Sequence, residues 1–369
     1  MTPPEVPART GRGMTYRAAG VDIEAGERAV ELLRSKVAVA TRPEVVGGLG
    51  GFAGLFAVDL ARWRRPLLAS STDGVGTKLL IAQALGRHDT VGIDLVAMVA
   101  DDLVVCGAEP LFLLDYLSCG RLVPERVAQI VGGVAEGCRR AGCALVGGET
   151  AEHPGVLGED EYDLAGAGVG IVEADAVLGP DRVREGDVLV AMASSGLHSN
   201  GYSLARKVLL ATRGFSLADE VPELGRALGD ELLEPTRIYA LDCLALIAGA
   251  RVHALAHITG GGLPGNIARV LPPTLDAVIH RASWTPPPVF ALIEQLGAVE
   301  RSEMEATFNL GIGMIAVVSA ESADAALALL AERRVDAWVA GSVTGGSDAS
   351  GAARLVGGHV SGGRLVGDR

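Results

Sequence analysis

The chain alternates between short apolar runs and stretches in which apolar residues recur every three to four positions. Recurrence at that spacing gives a helix one apolar face, whereas a short continuous apolar run predicts a buried strand. The predicted helices are residues 24–40, 79–85, 89–107, 124–141, 234–248, 286–296 and 322–333, with another from Tyr202. The predicted strands are residues 55–58, 66–69, 111–117, 143–146, 162–172, 187–192, 252–258, 308–318 and 335–343, with an edge strand at 353–360.

The order of these elements predicts two domains that mix helices and strands, the α/β (α+β) class. A charged segment with a Gly-Pro step, residues 175–186, interrupts the apolar pattern, and the chain then restarts with strand, Ser/Gly-rich turn and helix. The predicted organisation is a disordered lead at 1–13, one domain at 14–174, a second at 175–345 and a glycine-rich tail at 346–369. The pattern leaves the order of strands in each sheet open.

A glycine turn joins a predicted strand to a predicted helix at residues 71–78, STDGVGTK. Gly74 and Gly76 allow several backbone N–H groups to point into one concavity. Lys78 adds a positive charge there, and Asp73 adds a carboxylate of the kind that binds Mg²⁺. We therefore predict a cradle for nucleotide phosphates, although the spacing is not that of a Walker A loop and many such turns bind nothing.

Other polar turns also carry glycine. GGET at 147–150 and TGGGLPG at 259–265 each follow a predicted strand, where ligands of α/β proteins commonly bind. SSGLHSNG at 194–201 offers hydroxyl and amide donors, and its His198 is either an acid, base or phosphate donor or a side chain that pins the turn. Residues 47–54 formally match G-x-G-x-x-A, but a strand follows them, so a hairpin or flap is predicted.

Three acids interrupt the otherwise apolar helix predicted at 89–107. Asp94 and Asp101 are seven residues apart and therefore share one helix face, and Asp102 is adjacent. Acids close to a phosphate cradle suit Mg²⁺, which prefers oxygen ligands. The alternative, helix capping by Asp94 and exposure of the other two, is equally compatible with the sequence.

Composition and charge exclude several classes of function. Hydrophobic residues make up 49% of the 369 residues and charged ones 21%, which is typical of a globular protein. The net charge of −13 argues against nucleic acid or an anionic membrane as a partner, since both require a basic surface. The longest apolar runs are too short to span a bilayer, and the first residues do not resemble a signal peptide.

The cysteines predict a reducing compartment. Their number is odd, no Cys-x-x-Cys occurs, and we expect reduced thiols in a cytoplasmic protein. Cys138 and Cys143 have the spacing of half a metal site, but no second pair accompanies them, so burial is the favoured interpretation.

Several longer motifs together resemble one enzyme family. They are TYRAAGVDIEAG at 15–26, DGVGTK at 73–78, GIDLVAM at 92–98, GAEPLF at 107–112, GGETAE at 147–152, SSGLHSNGYSL at 194–204, PTRIYA at 235–240, HITGGGLPGNI at 257–267 and TFNLGIGM at 307–314. In this order they closely resemble the phosphoribosylformylglycinamidine cyclo-ligases, or AIR synthetases. The resemblance covers nearly the whole chain except the first dozen residues and the tail.

The resemblance implies a fold and an activity. The fold would be PurM-like, with an amino-terminal ATP-binding domain whose sheet pairs in a homodimer and a carboxyl-terminal α/β domain that binds substrate. The activity would be closure of formylglycinamidine ribonucleotide to aminoimidazole ribonucleotide, with ATP and Mg²⁺, in the cytoplasm. ATP would phosphorylate an amide oxygen, and a nitrogen of the same molecule would then displace the phosphate.

The resemblance also implies roles for particular residues. It assigns the nucleotide to Asp73, Gly74, Gly76, Thr77, Lys78, Gly147, Gly148 and Glu149. It assigns the substrate to Ser195, Gly196, His198, Ser199, Asn200, Gly260, Gly261 and Gly262. It assigns catalysis to Asp73, Lys78 and His198, and metal binding to Asp73, Asp94 and Asp102. Asp101 stands where the family often has asparagine, and Arg34 where it often has lysine, so neither receives a role.

Rival interpretations remain within the same fold group. Thiamine-monophosphate kinase, selenophosphate synthetase and formylglycinamidine synthetase are the enzymatic ones. Selenophosphate synthetase uses an early Cys or selenocysteine, whereas the first cysteine here is Cys106. A non-enzymatic nucleotide-binding protein is the remaining alternative, and the acids near Lys78 argue against it.

Overall fold

The computed structural model describes residues 15–48, 51–346, 351–361 and 364–366. The lead predicted at 1–13 lies outside these residues, as do parts of the predicted tail. The α-helices are Ile23–Val37 (α1), Leu79–Leu85 (α2), Val91–Val104 (α3), Pro124–Ala141 (α4), Tyr202–Arg206 (α5), Leu228–Leu232 (α6), Ala240–Gly249 (α7), Gly262–Ala268 (α8), Pro288–Gly297 (α9), Arg301–Thr307 (α10) and Ala323–Glu332 (α11).

The strands alternate with these helices. They are Val45–Val46 (β1), Leu55–Phe56 (β2), Pro66–Gly74 (β3), Glu109–Cys119 (β4), Ala144–Glu152 (β5), Tyr162–Glu173 (β6), Val188–Ala193 (β7), Glu220–Val221 (β8), Arg226–Ala227 (β9), Val252–His257 (β10), Leu275–His280 (β11), Ile312–Val318 (β12), Ala337–Gly345 (β13), Ala353–Val356 (β14), His359–Ser361 (β15) and Arg364–Val366 (β16). Most elements lie where the apolar pattern predicts them, and β1 and β2 form the hairpin predicted around residues 47–54.

The amino-terminal half is a sheet with helices on one face. Its strand order is β3-β6-β4-β5, antiparallel except for the parallel pair β4 and β5. Helix α3 packs on β3, β4 and β6, and α4 packs between α3 and α1. The opposite face carries Leu68, Leu114 and Tyr116, which are 69%, 38% and 43% exposed. The apolar run at 66–69 was predicted as a buried strand. The strand is present as part of β3, but the prediction of its burial is wrong, because β3 is an edge strand whose outer face is uncovered.

The carboxyl-terminal half is built on a second sheet, with the order β10-β12-β7-β13-β11-β14. Strand β12 lies inside this sheet, and every one of its residues is buried, as the continuous apolar run predicts. The predicted edge strand is confirmed as β14, which pairs in parallel with β11. Strand β11 and helix α10 were not predicted, because each is short and carries polar residues that break the apolar pattern.

Two predicted elements differ from the structure, and the first differs because of contacts between the halves. The helix predicted from residue 234 begins only at Ala240, since the backbone N–H groups of Thr236 and Tyr239 donate instead to Asp94 and Asp101 of α3. The glycine turn predicted at 147–150 is absent, because these residues continue β5. Those contacts hold the segment before α7 in an extended path along α3.

Two sequence-based expectations concern membrane-spanning segments and thiols. Within the described ranges, no helix is long and apolar enough to cross a bilayer. All five cysteines carry free thiols, and Cys138 and Cys143 are both buried, as the favoured interpretation predicts.

Candidate active site

The first glycine turn places Asp73 at the surface between the two halves. Strand β3 ends at Gly74, and Gly76 opens a short 3-10 turn with a left-handed φ of 72°. The exposed Asp73 accepts a hydrogen bond at Oδ1 from the Gly74 N–H at 2.7 Å. Burial of part of the carboxyl and the nearby charge of Asp102 raise the pKa of Asp73, although the Gly74 bond opposes this. The predicted strand, turn and helix are therefore confirmed.

A histidine from the second half faces the same acids. The Nδ1 atom of His257, at the end of β10, lies 2.9 Å from Oδ1 of Asp102, which is 42% exposed. Burial alone would lower the pKa of His257, but the bond to Asp102 and the charges of Asp101, Asp102 and Asp73 raise it. Asp102 is thus oriented by His257 and close enough to Asp73 for their charges to interact.

The Lys78 ammonium contacts both halves of the protein. Its side chain is fully buried, and Nζ donates to Asp94 Oδ1 at 2.8 Å, to the His198 carbonyl at 3.1 Å and to the Glu234 carbonyl at 2.5 Å. Burial lowers the pKa of Lys78, while Asp94 counteracts that effect. Two of its three acceptors belong to the second half, so the ammonium links the two halves.

The three acids predicted as metal ligands are not brought together. Asp94 is buried against Lys78, and its Oδ1 also accepts the N–H and hydroxyl of Thr236 at 2.8 and 2.6 Å. Only Asp73 and Asp102 of the predicted set face the surface. No group of three or more His, Cys, Asp or Glu side chains suited to a metal occurs in the part of the chain that the structure describes.

Asp101 is buried two helical turns from Asp94. Its Oδ1 accepts the Tyr239 N–H at 2.8 Å, and burial raises its pKa to about 7. An asparagine there would accept the same bond through its amide oxygen. Asp101 therefore holds the start of α7, which accounts for a position that the sequence left without a role.

The turn at 194–201 is pinned by its histidine. His198 has a left-handed φ of 63°, and its ring is buried with Nε2 accepting the Ser195 N–H at 3.1 Å. Burial and the charges of His257, Lys78 and Arg237 hold its pKa well below the ordinary value. Of the two interpretations left open by the sequence, the geometry favours pinning, because a buried neutral ring has no contact with the solvent-facing acids.

Replacing His198 with alanine is expected to lower the free energy of unfolding by about 1–3 kcal/mol, because the Ser195 N–H loses its buried acceptor and a cavity remains. Urea denaturation would measure this. The exposed His280 at the end of β11 provides the control, and H280A should leave stability unchanged. An H198A protein as stable as wild type would contradict the pinning role.

The remaining substrate-side residues form two loops that meet. The Asn200 Oδ1 atom accepts the Gly260 N–H at 3.1 Å, and Gly261 and Gly262 both have left-handed φ values, 96° and 59°. Asn266 donates to three carbonyls of this glycine turn. The other members of the predicted set, Ser195, Gly196 and Ser199, lie in the first loop, where Ser195 Oγ donates to the Pro235 carbonyl and Ser199 Oγ contacts Thr236.

Gly147, Gly148 and Glu149 line a separate cavity at the β5 edge of the first sheet. It has a volume of about 560 Å³ and is enclosed by α1, the segment 51–54, β4 and β5. Asp73 pairs with Gly166 on the next strand, Gly166 pairs with Asp115, and Asp115 pairs with Gly148. Asp73 and Gly148 therefore lie at the same level of the sheet, three strand spacings or about 14 Å apart. The predicted nucleotide residues thus occupy two places.

Sequence reasoning missed His257, Asn266 and Asp115. His257 and Asn266 belong to the motif at 257–267, in which only the glycines were assigned a role. Asp115 is an acid in the middle of an apolar strand, which is itself a signal, because a buried carboxyl requires a reason.

Comparison with known proteins assigns the family. Residues 58–172 match the model for the amino-terminal domain of AIR synthase related proteins, and residues 184–353 match the model for the carboxyl-terminal domain. Over 334 residues the chain is 54% identical to the phosphoribosylformylglycinamidine cyclo-ligase of Anaeromyxobacter dehalogenans. The matched region covers 90% of this chain and 96% of that relative. The chain belongs to the phosphoribosylformylglycinamidine cyclo-ligase family.

Other relatives agree with this assignment. The cyclo-ligase of Desulfitobacterium hafniense is 52% identical over 91% of this chain and 98% of its own length. The family resemblance inferred from the motifs is therefore confirmed, and the protein is an enzyme of the ligase class.

Solved structures share the fold at low identity. Thiamine-monophosphate kinase from Stenotrophomonas maltophilia has a TM-score of 0.63 and 18% identity, over 89% of this chain and 95% of that one. A hydrogenase maturation protein HypE in complex with ATP has a TM-score of 0.62 and 19% identity, over 93% and 94% of the two chains. With the two domain matches, they confirm the two-domain PurM-like fold expected of a cyclo-ligase.

Proposed function

We propose that this cyclo-ligase closes formylglycinamidine ribonucleotide to 5-aminoimidazole ribonucleotide, with conversion of ATP to ADP and phosphate, as a cytoplasmic step of de novo purine synthesis. The supporting observation is the position of Asp73 and Asp102. They come from different elements of the first half, face the surface together, and lie beside the glycine turns of the second half. An acid pair beside N–H-rich turns suits transfer of a phosphoryl group.

Asp73 and Asp102 fit a Mg²⁺ ion, whereas Asp94 does not. Mg²⁺ in nucleotide sites is commonly held by one or two carboxylates together with substrate phosphates. The hydrogen bond from His257 would hold Asp102 in a fixed orientation, as is usual for ligating carboxylates. When bound, the ion would neutralise charge on the phosphoryl group. Asp94 already accepts Lys78 and Thr236, so we remove it from the metal set.

The two loops of the second half would bind the ribonucleotide. The loops 194–201 and 260–262 meet at the Asn200–Gly260 hydrogen bond, and those of their N–H and hydroxyl groups that have no internal acceptor would donate to a phosphate or an amide oxygen. Attack by a nitrogen of the same molecule requires positioning more than a strong nucleophile, and positioning alone supplies up to about 7–11 kcal/mol in the best cases. The pinned turn therefore contributes by being rigid.

The test is to supply formylglycinamidine ribonucleotide with MgATP and to detect aminoimidazole ribonucleotide by its colour reaction, together with ADP. We expect both products in equal amounts. Consumption of ATP with thiamine monophosphate instead would support a kinase of the same fold. No ring product from a folded protein would refute the proposal.

We propose further that two copies pair through the uncovered face of the first sheet, which carries Leu68, Leu114 and Tyr116. An L68E variant should be monomeric by light scattering at micromolar concentration, because the charge would be buried without a partner. The control is V156E, since Val156 is 79% exposed in a turn outside the sheet. A dimeric L68E protein would contradict the use of this face.

A further inference from the structure

The cavity at the β5 edge has a buried carboxyl group in a largely apolar wall. Helix α1 contributes only Gly26 and the apolar residues Ala29, Val30, Leu33 and Val37, and α4 contributes Val131. Asp115 of β4 lies on the same face of the sheet as Gly148 of β5, directly across from it. Its side chain is 7% exposed and lines the cavity. A buried acid in a largely apolar cavity wall is unusual, because burying a carboxyl group without a partner costs free energy.

Asp115 has no side-chain partner among the described residues. The hydrogen bond that affects its pKa comes from its own backbone N–H. Gly148 leaves room for this carboxyl, since a Cβ there would lie 2.1 Å from Asp115 Oδ1, and the carboxyl lines the cavity wall. The carboxyl oxygens are therefore available to a molecule in the cavity.

Few titratable groups face Asp115. Glu149 lines the cavity from β5, and Cys138 of α4 is near enough that its thiol pKa, raised mainly by its bond with Cys143 and by burial, is also raised by Asp115. Helix α1 places no charged side chain in the lining. Burial raises the pKa of Asp115 to about 7. The neutral acid is therefore abundant at neutral pH.

We infer that Asp115 recognises the adenine edge of ATP as a neutral carboxylic acid, with the base in the cavity between α1 and β5. The O–H would donate to adenine N1, and the carbonyl oxygen would accept from the N6 amine. An ionised carboxylate would place a second lone pair against N1 and lose one bond. The inference rests on the proposed use of ATP, and on the Asp115 carboxyl forming part of the cavity wall without a side-chain partner.

The experiment measures equilibrium binding of MgATP between pH 6 and 8.5 for wild type, D115N and D115L, so that turnover is not needed. Wild-type affinity should fall as pH rises through 7, by about tenfold per pH unit above it, because only the protonated form binds well. D115N should bind with a flat pH profile and near the wild-type affinity at pH 6, since an amide also donates to N1 and accepts from N6. D115L should bind at least tenfold more weakly at pH 6.

Base analogues localise the contact. 1-Deaza-ATP lacks the acceptor and should bind at least tenfold more weakly than ATP to wild type but equally to D115L, whereas 7-deaza-ATP should bind as ATP does. A D115N protein with the wild-type pH profile, or equal wild-type affinity for 1-deaza-ATP and ATP, would overturn the inference. If MgATP binds as expected but no ring product forms, the proposed function fails and this inference stands.

Discussion

Replacing Lys78 with methionine is expected to lower the free energy of unfolding by about 3–5 kcal/mol, the usual cost of leaving one member of a buried ion pair without its partner. The variant keeps the length of the side chain but removes the ammonium from Asp94 and from the carbonyls of His198 and Glu234. The carboxylate of Asp94 would keep only its bonds from Thr236. Urea denaturation followed by circular dichroism would measure the loss.

Two companion variants make this result specific. K78M/D94N should be more stable than K78M alone, because the uncompensated buried charge is gone. R87M removes an exposed ion pair with Asp230, both side chains being about half exposed, and should cost under about 1 kcal/mol. A K78M protein as stable as wild type that fails to transfer phosphate would restore the role at the phosphates that the sequence suggests.

The D73N variant should lose about 100- to 1,000-fold in kcat for ring formation, the range for removing one group that balances charge in the transition state. The fold should be unaffected, since the amide oxygen still accepts the Gly74 N–H. The concentration of Mg²⁺ needed for half-maximal rate should rise, because one carboxylate ligand has become neutral. Steady-state kinetics at several Mg²⁺ concentrations would show both effects.

A matched control exists on the neighbouring strand. Asp163 of β6 is exposed and likewise accepts the N–H of the next residue, Leu164, at 2.9 Å. D163N should keep the wild-type rate and Mg²⁺ requirement. Equal kcat values for wild type and D73N would remove Asp73 from the site.

The turn at 71–78 and most helices could be predicted from the sequence, because apolar periodicity and glycine placement are local properties. The hydrogen-bond partners of Lys78 could not be predicted, since two of its three acceptors are backbone carbonyls more than a hundred residues away in the sequence. The contacts of Asp94 with Thr236 could not be predicted for the same reason. An acid inside an apolar helix shows that a partner exists without showing which one.

The prediction of a turn at 147–150 failed for a different reason. Glycines indicate turns because they tolerate unusual φ values, but they also occur where another part of the chain approaches the backbone closely. Gly148 serves the second purpose, leaving room for the Asp115 carboxyl. His198 shows the converse, because a non-glycine residue holds a left-handed φ where its ring pins the turn. Sequence alone does not separate these uses.

The anchoring of Lys78 has a consequence for chimeric proteins assembled from two relatives. Its acceptors in the second half are main-chain oxygens, which every amino acid possesses, so an alignment of carboxyl-terminal halves carries no trace of the dependence. A chimera would therefore be stable only if the loops of its carboxyl-terminal half place those two carbonyl oxygens within hydrogen-bond distance of the Lys78 ammonium. Matching the side chains across the junction would not supply these contacts.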